Sequence, residues 1–195
     1  MTLFAALLSG GAGGFAGGAA AHLVVTALNR FTDANQWLKG PYGPPFFNLA
    51  LFMGIFYGAI GLALSRRLKT ALAGFFGPLL AIALPMSVMT WTLRLGSRAW
   101  VYAVGVIFIA AVWGTVFLLG WMSGKERKRL AGLGAMAGSF AGYLALSAAL
   151  KLAPGLALWP WRVGTLLPQP TVLLDGLFTG SGMGAGIWLA ARRRT

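Results

Sequence analysis

The sequence predicts an all-α integral membrane protein with six transmembrane helices, arranged as three hairpins with both termini in the cytoplasm. Hydrophobic residues make up 58% of the 195 positions and charged residues 10%, and the mean hydropathy is +0.76, which is outside the range of soluble domains. Three basic clusters, at residues 66–69, 125–129 and 192–194, interrupt the apolar sequence. The roughly sixty residues between clusters suffice for two membrane crossings of about 20 residues each and a turn.

The basic clusters orient the chain, because loops rich in Lys and Arg face the cytoplasm. The clusters hold ten of the 16 Lys and Arg residues, and the other six are isolated on the predicted outer side: Arg30, Lys39, Arg94, Arg98, Lys151 and Arg162. This asymmetry predicts a multi-pass protein of the cytoplasmic (inner) membrane. Anionic lipid headgroups at the cytoplasmic face are the expected partners of the clustered charge.

The predicted spans cover residues 3–28, 46–65, 71–93, 100–122, 130–152 and 171–191. They form one polytopic domain, 1–195, with hairpins at about 1–69, 70–129 and 130–195. Pro78 and Pro85 fall inside the third span, where neighbouring helices satisfy the carbonyl groups that proline frees. A signal peptide is the alternative for the first segment. That segment lacks a positive n-region and stays apolar to Leu28, so we predict a retained helix.

Composition excludes several function classes. The net charge of +13 lies at predicted membrane edges rather than on an amphipathic face, so no nucleic-acid partner is predicted. The chain has no Cys, one His and three acidic residues, too few for a thiolate, haem or carboxylate metal site. Ser181 lies between two glycines, but the Gly-x-Ser-x-Gly pattern of a nucleophile elbow is missing. We therefore predict no cofactor, no metal and no enzymatic activity.

The first and third hairpins resemble two copies of one unit. A shift of 121 positions aligns the first span with the fifth, including Gly13 with Gly134 and Gly17 with Gly138. A shift of 126 positions aligns the second span with the sixth, and the aligned pairs include Pro44 and Pro170, Gly54 and Gly180, Gly58 and Gly184, and Arg66 and Arg192. Both copies would enter the membrane from the same side, which predicts a parallel internal repeat.

Small residues at four-residue spacing form stripes on the helices of this repeat. Lipid gives no hydrophobic drive between helices, so such glycine-zipper stripes allow close backbone packing. The predicted interface residues are Gly10, Gly14, Gly18, Gly134, Gly138, Gly142, Gly180 and Gly184. Two interpretations remain open. The stripes pack helices within the chain, or one of them, with the first span as candidate, contacts a second copy in a homo-oligomer or another membrane subunit.

Polar residues in the outer half of the spans predict a binding site. Asp175 lies about one turn into the sixth span, and an ionisable group within a membrane span is by default a candidate for function. His22 is the one histidine, and its repeat mate is Tyr143. The predicted pocket is lined by His22, Thr26, Tyr143, Ser147 and Asp175, with Arg30, Arg94 and Lys151 at its mouth. The basic mouth favours an anionic solute or lipid headgroup.

The same residues allow a purely structural interpretation. Asp175 could pair with Lys151, Arg162 or His22 and fix helix ends, while Thr26 and Ser147 bond the carbonyl group one turn back. Two function classes therefore remain, and no motif identifies a family. The favoured class is a small transport protein, meaning a permease, a channel or a substrate-binding membrane subunit. The alternative is a non-catalytic structural or assembly subunit of a larger membrane complex that packs through its glycine stripes.

Overall fold

The computed structural model describes residues 2–31, 44–92, 97–124, 127–153 and 170–192. These ranges contain six helices and no strand, which confirms the all-helical prediction for this part of the chain. The helices are α1 Leu3–Phe31, α2 Pro44–Ser65, α3 Leu68–Thr92, α4 Ser97–Ser123, α5 Lys128–Leu152 and α6 Pro170–Arg192. Their ends lie within about three residues of the predicted spans, because hydropathy marks the apolar part of a helix and helical hydrogen bonding continues into its polar flanks.

Five of the six helices contain a segment that is long and apolar enough to cross a membrane. They are α1, α2, α4, α5 and α6. In α3 the described apolar stretch, Leu68–Ile82, is shorter. Large apolar side chains are exposed along several of these helices, and examples are Leu72, Phe76, Leu80, Val106, Ile109, Leu133 and Leu144. An apolar surface of this extent is unusual for a protein in water, and it fits a multispanning membrane protein.

The six helices form a closed ring. Each helix packs against the next one in the chain, and α6 returns to pack against α1. Contacts across the ring, between α2 and α4, α4 and α6, and α2 and α6, are much smaller. Every helix therefore has two main neighbours, and its remaining surface faces either the interior of the bundle or the outside.

Neighbouring helices run antiparallel. In the first pair, Gly13 of α1 lies against Ala63 of α2, and Gly17 lies against Phe56. In the last pair, Gly134 lies near the start of α5 and against Ala190, near the end of α6. The described residues of all three basic clusters consequently lie at one end of the bundle, which we call the basic end: Arg66, Arg67, Lys69, Arg127, Lys128, Arg129 and Arg192. The opposite end is called the distal end.

Glycine contacts hold α6 between α1 and α5. Toward α1, a Cβ added at Gly180 would overlap the carbonyl oxygen of Gly10, and one at Gly176 would overlap that of Gly14. Toward α5, a Cβ at Gly182 would overlap the carbonyl oxygen of Gly138. Because these backbones touch directly, a side chain at any of these positions would force the helices apart.

All eight predicted interface glycines take part in contacts within the chain. Gly10, Gly14 and Gly18 lie against Gly180, Gly176 and Val172; Gly134, Gly138 and Gly142 lie against Gly186, Gly182 and Phe178; and Gly184 lies against Ala6. A hydroxyl group adds a polar link, since Ser181 Oγ donates a hydrogen bond of 3.1 Å to the carbonyl oxygen of Leu7. In the structure, the stripe on α1 that was the candidate for an outward interface packs against α6.

The hydrophobic core fills the interior on the basic side of the bundle. Its largest cluster combines buried residues from four helices: Phe56, Tyr57, Ile60, Val116, Leu119, Ala131, Ala135, Met183 and Ile187. A second cluster joins Ala50, Ile82 and Ala111 from α2, α3 and α4. The interior on the basic side is therefore closed by packed apolar side chains.

The glycine contacts predict a large difference between two identical substitutions. We expect Gly180→Ala to lower the free energy of unfolding by about 1–3 kcal/mol, the range for overpacking, because the new Cβ meets the backbone of Gly10. Gly114→Ala is the matched control, since nothing lies within 4 Å of a Cβ there and alanine favours the helix. Thermal unfolding of the purified protein in detergent compares them, and equal stability of the two variants would contradict the packing described.

Candidate functional site

The interior face of α6 is defined by its two glycine interfaces. Positions 176, 180 and 184 face α1, and positions 178, 182 and 186 face α5. Residues four apart lie on one face of a helix, so the stripe midway between these interfaces consists of positions 175, 179, 183 and 187. Met183 and Ile187 on this stripe belong to the main core cluster. Asp175 therefore lies on the side of α6 that faces the interior of the bundle.

The interior face of α5 follows from the same argument. Positions 134, 138 and 142 face α6, while Gly132 lies against Phe117 and Phe140 against Trp113 of α4. The stripe between these interfaces runs through positions 135, 139, 143 and 147, and its member Ala135 is in the core. Tyr143 and Ser147 continue this stripe toward the distal end, so by register they lie on the same side of the bundle as Asp175, with Tyr143 56% exposed.

Burial along these two stripes changes abruptly toward the distal end. On α6, Met183 is 0% exposed and Thr179 is 7% exposed, whereas Asp175 is exposed. On α5, Ser139 is 7% exposed and Tyr143 is 56% exposed. The two stripes are therefore buried up to Ser139 and Thr179 and exposed at Tyr143 and Asp175, whereas Leu146 on another face of α5 is still buried at 6% exposed.

Helix register puts Asp175 close to the level of its neighbours on α5. Gly142 lies against Phe178 and Gly138 against Gly182, so the antiparallel pairing brings Asp175 to a level midway between Tyr143 and Ser147. Two helical residues correspond to about 3 Å along the axis. A carboxylate, a phenol and a hydroxyl group are consequently available to one small molecule on the interior side.

Two further polar groups lie at the bottom of this region. The Thr179 hydroxyl donates a hydrogen bond of 3.1 Å to Asp175 Oδ1, one turn along the same helix. Tyr57 of α2 is buried, belongs to the core and lies within electrostatic range of the Asp175 carboxylate. The carboxylate is thereby oriented by Thr179, with its other oxygen available as a hydrogen-bond acceptor.

The structure does not bring every predicted pocket residue to this place. His22 and Thr26 continue the α6-facing stripe of α1 beyond Gly18, which lies against Val172. By that register they are displaced from Asp175 toward the distal end by about 10 Å and 16 Å, at 1.5 Å per residue. Lys151 is exposed, four residues after Ser147 on the interior stripe of α5. The side chains of Arg30 and Arg94 lie outside the described residues.

The structural interpretation requires Asp175 to pair with another helix, but its hydrogen-bond partner Thr179 lies within α6. The hydrogen bond from Thr179 links two residues of one helix and does not join helix ends. Lys151 lies about six residues, or roughly 9 Å, beyond the level of Asp175. Arg162, the third partner considered from the sequence, lies outside the described residues, so its pairing with Asp175 stays a prediction.

Sequence reasoning overlooked the residues that close the region. Thr179, Ser139 and Tyr57 were absent from the predicted pocket, although Thr179 and Ser139 each lie four residues from a predicted pocket residue on the same stripe. The four-residue spacing is readable from the sequence. The sequence does not show which stripe faces the interior and which stripes face neighbouring helices, because that depends on the order of the helices around the ring.

The described residues of this region offer hydrogen-bonding groups and one cation. Within the described ranges, no group of three or more His, Cys, Asp or Glu residues is arranged to hold a metal ion. Asp175, Tyr143 and Ser147 offer hydrogen-bond acceptors and donors, and Lys151 offers a cation closer to the distal end. Comparison of the chain with protein-family models, characterised proteins and solved structures gives no significant match.

The accessibility pattern predicts the reactivity of introduced cysteines, which is simple to measure because the chain has no Cys of its own. In protein reconstituted into vesicles, Asp175→Cys and Tyr143→Cys should react with a charged, membrane-impermeant maleimide. Thr179→Cys and Ser139→Cys should react at least tenfold more slowly, because these positions are buried. Equal labelling rates at all four positions would show that the interior does not open where the burial changes.

Proposed function

We propose that this chain is a small transport protein of the membrane, a permease or a substrate-binding membrane subunit, whose solute site lies on the interior side of α5 and α6. One observation carries the proposal. The interior stripes of both helices change from buried to accessible within one turn, and polar side chains begin at that point. A scaffold needs no accessible carboxylate inside its bundle, and ionisable groups within a membrane protein typically mark solute or ion pathways.

The positions of the charged groups suggest the chemistry of the solute. Asp175 favours a group that donates hydrogen bonds or carries positive charge. Lys151 favours an anionic group about 9 Å farther toward the distal end. A small polar solute with a donor at one end and an anionic group at the other satisfies both residues. The preference for an anion that was inferred from the sequence then applies to the mouth of the site, near Lys151. At the base of the site, Asp175 requires a solute group that donates hydrogen bonds or carries positive charge.

The distal end is the outer side in this proposal. The basic end carries the described residues of the Lys and Arg clusters, and loops of this composition remain in the cytoplasm. Both termini then face the cytoplasm, the bundle lies in a bacterial-type inner membrane, and the site is accessible from outside. The packed core on the basic side corresponds to the closed inner gate.

The internal repeat gains support from equivalent contacts. Gly17 of α1 lies against Phe56 of α2, and the residues 121 and 126 positions later, Gly138 and Gly182, lie against each other. In the same way, Gly54 of α2 faces Phe75 of α3. Its equivalent 126 positions later, Gly180 of α6, faces α1. In both cases the partner is the next helix around the ring. A duplicated hairpin with a divergent middle pair would account for these equivalent contacts of the first and last helix pairs.

The alternative, an assembly subunit, draws its support from the glycine stripes. The described glycines of those stripes contact helices of the same chain, which removes the main reason to assign them to a partner. A homo-oligomer or an association with other membrane subunits then has to use another surface. Co-purification of further subunits with a chain that binds no small solute would favour this alternative.

The test combines solute binding with one isosteric substitution. A panel of amino acids, organic anions and organic cations is screened for thermal stabilisation of the purified chain, since a solute at 100 times its Kd stabilises by about 2.7 kcal/mol. We expect at least one zwitterionic solute to stabilise the protein and to enter proteoliposomes. Asp175→Asn should weaken its binding at least tenfold, because the charge is lost while the shape and the Thr179 contact remain.

The control is Asp33→Asn, which removes an acid from the segment between α1 and α2 and should leave binding unchanged. Stability without solute should be similar in both variants. Loss of folding in Asp175→Asn alone would favour the structural interpretation of this residue. Unchanged binding by that variant would contradict the proposed site.

A further inference from the structure

A cavity lies at the basic end of the bundle. It has a volume of about 430 Å³ and is lined by Arg67, Lys69, Leu118, Trp121, Met122, Gly124 and Lys128. These residues come from the α2–α3 turn and the first residues of α3, from the end of α4 and the residue after it, and from the start of α5. Three cations from segments about sixty residues apart in sequence therefore surround one space. None of them belongs to the solute site proposed above.

The backbone around the cavity adds to its positive potential. Both α3 and α5 begin beside it, neither helix has an acidic residue in its first turn, and Arg127 at the N-cap of α5 makes no capping bond with its side chain. A helix N-terminus carries partial positive charge and unpaired N–H groups.

The turn between α2 and α3 is built in a way that favours this arrangement. Arg66 adopts a φ of 54°, a left-handed conformation that normally selects glycine or asparagine. Ser65 Oγ accepts a hydrogen bond from the Arg67 N–H at 3.2 Å and donates one to the Gly61 carbonyl at 2.7 Å. A two-residue turn is thus fixed with arginine at a strained position, and strain of this kind is concentrated at functional sites.

The other wall of the cavity is apolar. Leu118, Trp121 and Met122 line it, and Trp121 is 44% exposed. Tryptophan is the residue typical of the boundary between headgroups and hydrocarbon. A cationic wall next to an apolar wall at the end of a membrane bundle matches a phosphate group joined to acyl chains better than a free anion.

We propose that this cavity is a specific site for an anionic phospholipid of the leaflet at the basic end. Arg67, Lys69 and Lys128 bind the phosphate, and the acyl chains lie along Leu118, Trp121 and Met122. The site fastens the α2–α3 turn to the start of α5, which are separate in sequence and lie on opposite sides of α4 in the ring. This inference is independent of the proposed transport function.

The experiment measures lipid retention by native mass spectrometry of the purified full chain. Dioleoyl phosphatidylglycerol and dioleoyl phosphatidylcholine, which share their acyl chains, are titrated in parallel. We expect the double variant Arg67→Gln/Lys128→Gln to bind phosphatidylglycerol roughly tenfold to thirtyfold more weakly, as the loss of two cations near the lipid predicts. Phosphatidylcholine binding should be weak in the wild type and unchanged in the variant.

The matched control is Arg129→Gln/Arg192→Gln, which removes two exposed cations at the same end that do not line the cavity. Its phosphatidylglycerol affinity should fall less than threefold. An equal loss in both double variants would mean general surface charge and would overturn the site. Displacement of the lipid by inorganic phosphate at millimolar concentration would identify a free-anion site instead and would also overturn the proposal.

Two further variants separate charge from folding. Arg67→Lys/Lys128→Arg keeps the charge and should retain lipid as the wild type does. Lys69→Gln alone, at an exposed position, should weaken binding about threefold to tenfold. If Arg67→Gln/Lys128→Gln does not purify as a folded protein, Lys69→Gln provides the decisive comparison, and unchanged lipid affinity in it would contradict the proposal.

Discussion

The direct contact of glycine backbones on both sides of α6 is the constraint on which the rest of the structure depends. Gly176 and Gly180 meet the backbone of α1, and Gly182 and Gly186 meet that of α5. Lipid supplies no hydrophobic drive between helices, so contact at this distance, with its dispersion energy, has to hold them together. Without α6 between these two neighbours, α1 and α5 would lack a common partner and the ring would be open.

The same contacts determine where chemistry can occur. Two faces of α6 pack against α1 and α5. The stripe between them that carries the core residues Met183 and Ile187 faces the interior. Asp175 is the distal member of this stripe. Glycine also brings α5 close, which puts Tyr143 and Ser147 within reach of the same molecule. The apolar residues that continue these stripes, Met183 and Ala135, close the interior toward the basic end. Packing on one side and access on the other thus arise from one arrangement of stripes.

Much of this architecture was predictable from the sequence. Six apolar segments bounded by basic clusters gave the helices and, to within about three residues, their ends. The four-residue spacing of glycines identified surfaces for close packing. Asp175, Tyr143 and Ser147 were singled out because polar groups in an apolar span are unusual, and their part in a binding site stays a prediction.

The order of the helices around the ring was not predictable. Hydropathy specifies that a helix crosses a membrane and says little about its neighbours, since every outward surface is apolar. For that reason His22 and Thr26 were assigned to the pocket from their position on a stripe, although that stripe faces α6 in the structure. The basic cavity was missed for the same reason, because Arg67 and Lys128 line one cavity only when α3, α4 and α5 are adjacent.

The most direct test of the account is whether α1 and α6 touch within one chain. A Cβ at Gly11 would overlap the Ser181 hydroxyl, so cysteines at these two positions have the short Cβ separation that a disulfide requires. In this Cys-free chain, the double variant Gly11→Cys/Ser181→Cys should oxidise to a monomer that is about 2 Da lighter than the reduced form, the mass of the two hydrogens released. A disulfide-linked dimer, or two thiols that stay free under oxidation, would contradict the closed ring.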